Sequence, residues 1–299
     1  MFESLVNPKK AERRTWELFL IGLLYASLSV LLVNWIFSSD PVLIKYSGLL
    51  IVTFSVMFSL PFMYYTIKLE EEKDLEIKSY MRLLKEHAKA LKAFMWLFLG
   101  FIIAFSFWSI VLSNPDIFRV QIETYCMINQ PGSYEKCIQE YTIKGSVTGA
   151  GLHADRFTSI VINNIYVLIF TIIFSLIFGA GAIFILAWNA SVIAAAIVIF
   201  VKSQVACIPL GLARYMIHGF PEILSYFTVA LAGGIVSIAI IRHNFQSERF
   251  WRIMEDALVL TVLAIILLII SGFIEVYITP GIYSLMENTA TSLNYCNIF

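Results

Sequence analysis

Residues 156–202 read RFTSIVINNIYVLIFTIIFSLIFGAGAIFILAWNASVIAAAIVIFVK, residues 203–216 read SQVACIPLGLARYM, and residues 217–241 read IHGFPEILSYFTVALAGGIVSIAII. Almost every residue in this stretch is apolar. The exceptions stand at separate points: Asn163, Asn164, Asn189, His218 and Glu222. Because the hydrocarbon core of a bilayer holds no water, a polar side chain there must bond to protein or face a wet cavity. We therefore expect three membrane helices to meet around a common polar point.

The whole chain has the composition of an integral membrane protein. Of its 299 residues, 59% are hydrophobic and 14% are charged, whereas about a quarter of a soluble domain is charged. The net charge is zero, so no basic surface indicates nucleic acid as a partner. The first apolar run, residues 16–38, is longer than the roughly 7–15 residues of a signal-peptide core, and we interpret it as a retained span. We predict an all-α, polytopic helical bundle in a lipid bilayer.

Apolar stretches of about 20 residues, the length that crosses a bilayer, occur seven times. We predict spans at residues 16–37, 42–65, 93–112, 157–178, 182–201, 217–241 and 258–278. The fourth and fifth would be separated by a helical hairpin at Gly179–Gly181, because one continuous helix of about 45 residues would measure about 68 Å.

The spans divide the chain into four regions: residues 1–112, 113–156, 157–241 and 242–299. The first region contains three spans and a charged helix at 67–92, which we expect in the cytoplasm as a solvated hairpin arm or as a docking face for another protein. Its apolar stripe has helical spacing and comprises Ile77, Met81, Leu84, Ala88 and Leu91. The second is a cysteine-containing outer loop, and the third is the three-helix core. The fourth holds a basic interfacial helix at 242–256, the last span and an outer tail.

The distribution of basic residues predicts the orientation. With the N-terminus inside, fourteen Lys and Arg fall on the inner side and seven on the outer side, as the positive-inside rule requires. We therefore predict a plasma-membrane protein with a cytoplasmic N-terminus and an extracellular C-terminus. All four cysteines then lie outside, where disulfides persist: Cys126, Cys137, Cys207 and Cys296. Three pairings are possible, and we predict a bond between Cys126 and Cys137 because both lie in one short segment.

The polar residues of the core have similar predicted depths. Asn163 and Asn164 lie about two turns into the fourth span, and Asn189 lies near the middle of the fifth. His218 and Glu222 are four residues apart at the start of the sixth span, so they share one helix face. We predict that Asn164, Asn189, His218 and Glu222 converge, and that Glu222 makes a hydrogen bond with a protein group. The alternative is that the asparagines only bridge helices, at roughly 0.6–2 kcal/mol each.

These residues also resemble a known family, the stage II sporulation protein M family, over residues 156–241. The resemblance rests on Asn163-Asn164, Gly179–Gly181, Asn189 and, as the most specific element, His218-Gly219-x-x-Glu222. Ala190 and Ala194 stand where the family commonly has glycine. In sporulating members the resemblance implies a membrane component that works with partner proteins in envelope remodelling.

We accordingly expect a membrane scaffold or accessory subunit that assembles with copies of itself or with other membrane proteins. The alternative is a small-solute or ion channel or transporter in which the polar cluster lines the path. We do not expect an enzyme, because an intramembrane hydrolase needs a nucleophile or a metal triad, and His218-Gly219-x-x-Glu222 lacks the second histidine of a zinc motif. The glycines of residues 145–151 lack the Lys-Ser/Thr of a phosphate loop, and the sequence contains no Cys-x-x-Cys or Cys/His cluster of the kind that binds zinc. We therefore expect neither a cofactor nor a metal.

Overall fold

The computed structural model describes residues 8–40, 42–77, 80–112, 117–129, 153–178, 183–200, 208–243 and 246–282. Every regular element in these ranges is helical. The longer helices are named in chain order α1 (Pro8–Arg13), α2 (Glu17–Phe37), α3 (Ser47–Glu76), α4 (Tyr80–Leu112), α5 (Arg119–Asn129), α6 (His153–Phe178), α7 (Ile183–Phe200), α8 (Ile208–Arg242) and α9 (Glu248–Phe273). One 3₁₀ turn (Leu43–Tyr46) precedes α3, and one π turn (Ile274–Ile278) follows α9.

Within the described residues the predicted all-helical fold is confirmed, and five of the helices there are long and apolar enough to cross a membrane. These segments are Glu17–Phe37, Leu43–Glu76, Met81–Leu112, Tyr215–Arg242 and Glu248–Ile282. Two shorter apolar stretches, Ile160–Leu176 in α6 and Ile183–Ile199 in α7, fall below the length of a full span. The predicted number of seven spans is therefore not established. The predicted hairpin at Gly179–Gly181 lies outside the described residues.

Helix α8 occupies the centre of the bundle. Every residue from 225 to 239 is buried, and α8 packs against α3, α4, α6, α7 and α9. Glycines allow the closest contacts. A Cβ on Gly233 would lie 2.9 Å from Cβ of Ser175 in α6, and one on Gly234 would lie 2.8 Å from Ile67 in α3. A helix buried on all sides must be apolar all round, which explains why this stretch has so few polar residues.

The contact between α2 and α4 depends on two further glycines. A Cβ on Gly22 would lie 2.3 Å from the carbonyl oxygen of Leu97, and a Cβ on Gly100 would lie 2.4 Å from that of Phe19. Real side chains do not tolerate such distances, so the two backbones can approach only because both positions lack a Cβ. Small residues at crossing points are the usual means of close helix packing in membranes.

The charged segment at 67–92 differs from the prediction of one solvated helix. Helix α3 continues to Glu76 and ends at Ile77, whose backbone is extended (φ −97°, ψ 116°), and α4 begins at Tyr80. The segment is thus the two arms of a helical hairpin that prolong the second and third spans. The predicted apolar stripe is also wrong in part. Met81 and Ala88 are exposed, whereas the buried face of α4 includes Leu83 and His87.

Three other predicted boundaries are also shifted. Helix α8 begins at Ile208 rather than 217. Helix α9 begins at Glu248, so part of the predicted interfacial helix and the last span form one helix, capped where the Ser247 side chain accepts a hydrogen bond from the Phe250 backbone N–H at 3.2 Å. The predicted loop at 113–156 contains α5 and the start of α6. Apolar patterns alone cannot locate such ends, since a helix continues through polar residues when its backbone hydrogen bonds and packing continue.

Candidate functional site

The two predicted asparagines of α6 differ in burial. Asn164 is 8% exposed, whereas Asn163 is exposed. The Asn163 amide nitrogen donates to Oδ1 of Asn164 over 3.4 Å, a long hydrogen bond between neighbours. Helix α6 packs against α8 and α9, so Asn164 lies on the side of the bundle formed by those helices.

Asn189 lies on α7, which packs mainly against α4 and α3. Its amide nitrogen donates to the carbonyl oxygen of Ile185, one turn earlier in the same helix, at 2.7 Å. The side chain thereby satisfies its donor locally, because a carbonyl four residues back is within reach of a short polar side chain. Convergence of Asn189 with Asn164 and the polar residues of α8 stays a prediction.

His218 and Glu222 occupy the first half of α8, on either side of Pro221. Glu222 makes the hydrogen bond expected of it, but the donor is the Tyr226 hydroxyl at 2.9 Å rather than His218 or an asparagine. The Ser271 hydroxyl of α9 donates to the His218 carbonyl oxygen at 2.8 Å, beside the proline that interrupts the backbone hydrogen bonds of the helix. Glu275 lies near enough to Glu222 and Tyr226 to act on both electrostatically.

The structure contains a second polar site, which the sequence did not predict. We call it the buried charge layer, and the end of the bundle that holds it the charged end. Three carboxylates in the last turns of α3, Glu70, Glu71 and Asp74, are fully buried. The layer comprises Glu12, Glu70, Glu71, Lys73, Asp74, His87, Arg242 and His243.

His87 of α4 lies between two of these carboxylates. Its Nδ1 is 2.7 Å from Oε2 of Glu70, and its Nε2 is 3.0 Å from Oδ1 of Asp74. The first contact is a hydrogen bond. The second is close enough for an ion pair, although its geometry does not suit a hydrogen bond. A protonated imidazole carries an N–H on each side, so it can serve two carboxylates at once.

Two further groups extend the layer to neighbouring elements. Nζ of Lys73 is 2.7 Å from Glu12 of α1 and 2.6 Å from Glu70. Glu71 accepts from Arg242, at the end of α8, at 2.6 Å, and its other oxygen is 2.5 Å from Nε2 of His243.

Not every atom of the layer is satisfied. Among the described residues, Oδ2 of Asp74 has no hydrogen-bond partner, and neither has Oδ2 of the nearby, buried Asp256. Burial, together with the neighbouring carboxyl group of Glu70, raises the pKa of Glu12 to about 7. The described residues contain no group of His, Cys, Asp or Glu arranged to hold a metal ion.

Sequence reasoning missed this site because its residues resemble those of an ordinary solvated charge run. One signal was available: Glu70 and Asp74 are four residues apart and therefore share a helix face. The face of α3 that carries these two residues is turned inward only by tertiary packing. The spacing of apolar residues in the segment gave no sign of this.

The cysteines can be followed only in part. Cys126 of α5 is fully buried and is disulfide-bonded. Cys137, Cys207 and Cys296 lie outside the described residues, so its pairing with Cys137 stays a prediction.

Comparison with known proteins supports the resemblance noted in the sequence. The model of the family described as stage II sporulation protein M matches residues 93–280, well over half of the chain and wider than the predicted 156–241. Comparison with curated proteins and with solved structures finds no match. The matched range covers most of α4 and all of α5 to α9, including both His218 and Glu222. The chain belongs to the stage II sporulation protein M family.

Proposed function

We propose that the protein is an integral membrane scaffold or accessory subunit, placed in the plasma membrane with its N-terminus in the cytoplasm. The buried charge layer is the observation that carries this proposal. Its ion pairs join α1, α3, α4 and the end of α8 (Glu12 with Lys73, Glu70 with His87, Glu71 with Arg242). Arg252 of α9 adds a hydrogen bond to the carbonyl oxygen of Ile77. A layer with these connections holds the charged end as a rigid unit.

A rigid charged end is suited to holding other proteins. The hairpin arm of α4 presents Met81, 69% exposed, next to Arg82 and Lys85, which are also exposed. A large exposed apolar side chain beside basic groups can bury itself against a partner. In this orientation the arm projects into the cytoplasm, and the partner would be a second copy or another membrane protein, as the family resemblance implies.

The alternative function, permeation of ions or small solutes, draws less support from the same geometry. A permeation path needs polar groups directed into a shared wet space. Asn189 and Glu222 instead bond within their own helices, and α8 fills the centre of the bundle with buried side chains.

We also propose that Cys126 pairs with Cys137, which would close a short loop on the outer side.

Two measurements on the full chain separate scaffold from channel. In reconstituted vesicles we expect no proton or cation flux above that of empty vesicles, and no effect of Glu222→Gln. In native membranes, a photo-crosslinking residue at Met81 should give an adduct of defined mass, whereas one at the membrane-facing Leu31 should not. Flux that Glu222→Gln abolishes without loss of folding would overturn the scaffold proposal in favour of permeation.

A further inference from the structure

A lateral groove of about 690 Å³ runs along the bundle between α4 and α9, with α8 as its floor. Residues that line it on α4 extend from Leu84 to Leu99, a length of about 22 Å along the helix axis. The other lining residues include Met216 and Leu224 of α8 and Leu263 of α9. Beyond Lys92 the groove is formed by three apolar spans, so this part lies at membrane depth and opens towards lipid, whereas its lining from Leu84 to Leu91 belongs to the hairpin arm on the cytoplasmic side.

Apart from Thr228 of α8, the lining is apolar except at the charged end. There His87 and Lys92 border the groove. Lys92 is exposed, and it takes part in no ion pair within the part of the chain that the structure describes. It lies at the predicted boundary between the third span and the cytoplasm, where the phosphate groups of the inner leaflet lie. A cation at that depth complements an anionic headgroup, and basic sites between membrane helices on this side are typical lipid sites.

The side chains of the lining favour an acyl chain over a protein helix. Close helix packing in membranes needs small residues at the contact. Beside Ala88 and Thr228, this groove is lined mostly by large side chains: leucines, Trp96, Phe220 and the methionines Met95 and Met216. Methionine and leucine are flexible and adapt to an irregular apolar ligand. The volume of the groove, about 690 Å³, lies within the range of about 300–1,000 Å³ that pockets for organic ligands occupy.

We propose that the groove binds one anionic phospholipid of the inner leaflet, with an acyl chain along α8 and the phosphate at Lys92. The proposal does not depend on the scaffold role, but it rests on the orientation proposed above, with the charged end in the cytoplasm. The headgroup of this lipid would then lie beside His87, at the edge of the buried charge layer.

Lipid retention by the purified full chain tests the proposal. Native mass spectrometry should show one phosphatidylglycerol retained per chain, at about fivefold higher occupancy than phosphatidylcholine with the same acyl chains. Lys92→Gln should abolish that preference, whereas Lys45→Gln, at the other end of the bundle, should leave it unchanged. Leu224→Trp should fill the groove and lower retention of both lipids, whereas Leu31→Trp on the outside of α2 should not.

A second measurement leaves the groove intact, in case Leu224→Trp fails to fold. Phosphatidylglycerol with brominated acyl chains should quench the fluorescence of Trp96, so the quenched fraction should fall in Trp96→Phe. Equal retention of the two lipids, or quenching unchanged in Trp96→Phe, would refute the proposal. If Leu224→Trp alters the oligomeric state and leaves lipid retention unchanged, the groove is a helix interface between copies instead.

Discussion

The predicted polar cluster and the buried charge layer satisfy their polar groups in opposite ways. Asn189 and Glu222 bond to groups four residues away in their own helices. In the layer, Glu70 bonds to a residue 17 positions away, Lys73 to one 61 away and Glu71 to one 171 away. A polar residue in a span thus need not mark a meeting point of helices, and a charged run at the end of a span can be interior. The two regions should therefore respond differently to mutation.

The largest effect is expected from His87→Ala. It would leave Glu70 and Asp74 buried without the imidazole between them, and breaking a buried ion pair costs about 3–5 kcal/mol of stability. Thermal unfolding of the purified chain in detergent would measure it. The matched control is Lys89→Ala, which breaks the exposed pair with Glu86 and should cost less than about 1 kcal/mol. Equal losses of stability in the two variants would show that the pairs of His87 contribute no more than an exposed ion pair.

A smaller effect is expected from pH, through Glu12. Its pKa is about 7 in the folded protein against an ordinary value of 4.5, so the folded state binds the proton more tightly. The stability that this group contributes is fully present below pH 4.5 and is lost as the pH rises through 7, by about 1–3 kcal/mol. Unfolding measured from pH 4.5 to 8 should show a decline that Glu12→Gln reduces. An unchanged pH profile in the variant would contradict burial of Glu12 against α3.

In the predicted cluster, Tyr226→Phe should have a moderate effect. It removes the hydroxyl that donates to Glu222 while keeping the buried ring, so the expected cost is about 1–2 kcal/mol, that of one buried hydrogen bond. Thermal unfolding of the variant measures the loss. Tyr226→Phe combined with Glu222→Leu, which removes the acceptor, should cost no more than Glu222→Leu alone, since the two residues share one bond. If the stability losses of the two single variants simply add in the double variant, Glu222 has a stronger partner elsewhere.

The smallest effect is expected from Asn189→Ala. The Asn189 amide donates to the carbonyl oxygen of Ile185 in the same helix, so the substitution breaks no contact between helices. The loss of stability should therefore stay below about 0.6 kcal/mol. The unfolding midpoint should be almost unchanged. A loss of 2 kcal/mol or more would show that Asn189 bridges helices after all, and would favour the convergence predicted from the sequence.

Much of the fold was predictable from local sequence. The apolar segments predicted the helical class, because spans without water must satisfy their backbone hydrogen bonds internally. The family resemblance was readable from His218-Gly219-x-x-Glu222. Helix ends were predicted less well, as at residues 208 and 248, because backbone hydrogen bonds continue through polar residues where the helix is packed.

The sequence by itself determined an all-helical bundle with apolar spans and its family. Only the tertiary structure decided which charges lie inside. Glu70, Glu71 and Asp74 stand in a run of acidic and basic residues that would be solvated in isolation. They are buried because α1, α4 and the end of α8 cover them. His87 of α4 and Arg242 of α8 supply charged partners, and Lys73 of α3 joins Glu70 to Glu12 of α1. The energy of such pairs depends on distance and on exclusion of water, and both are fixed by helices brought together from distant parts of the chain.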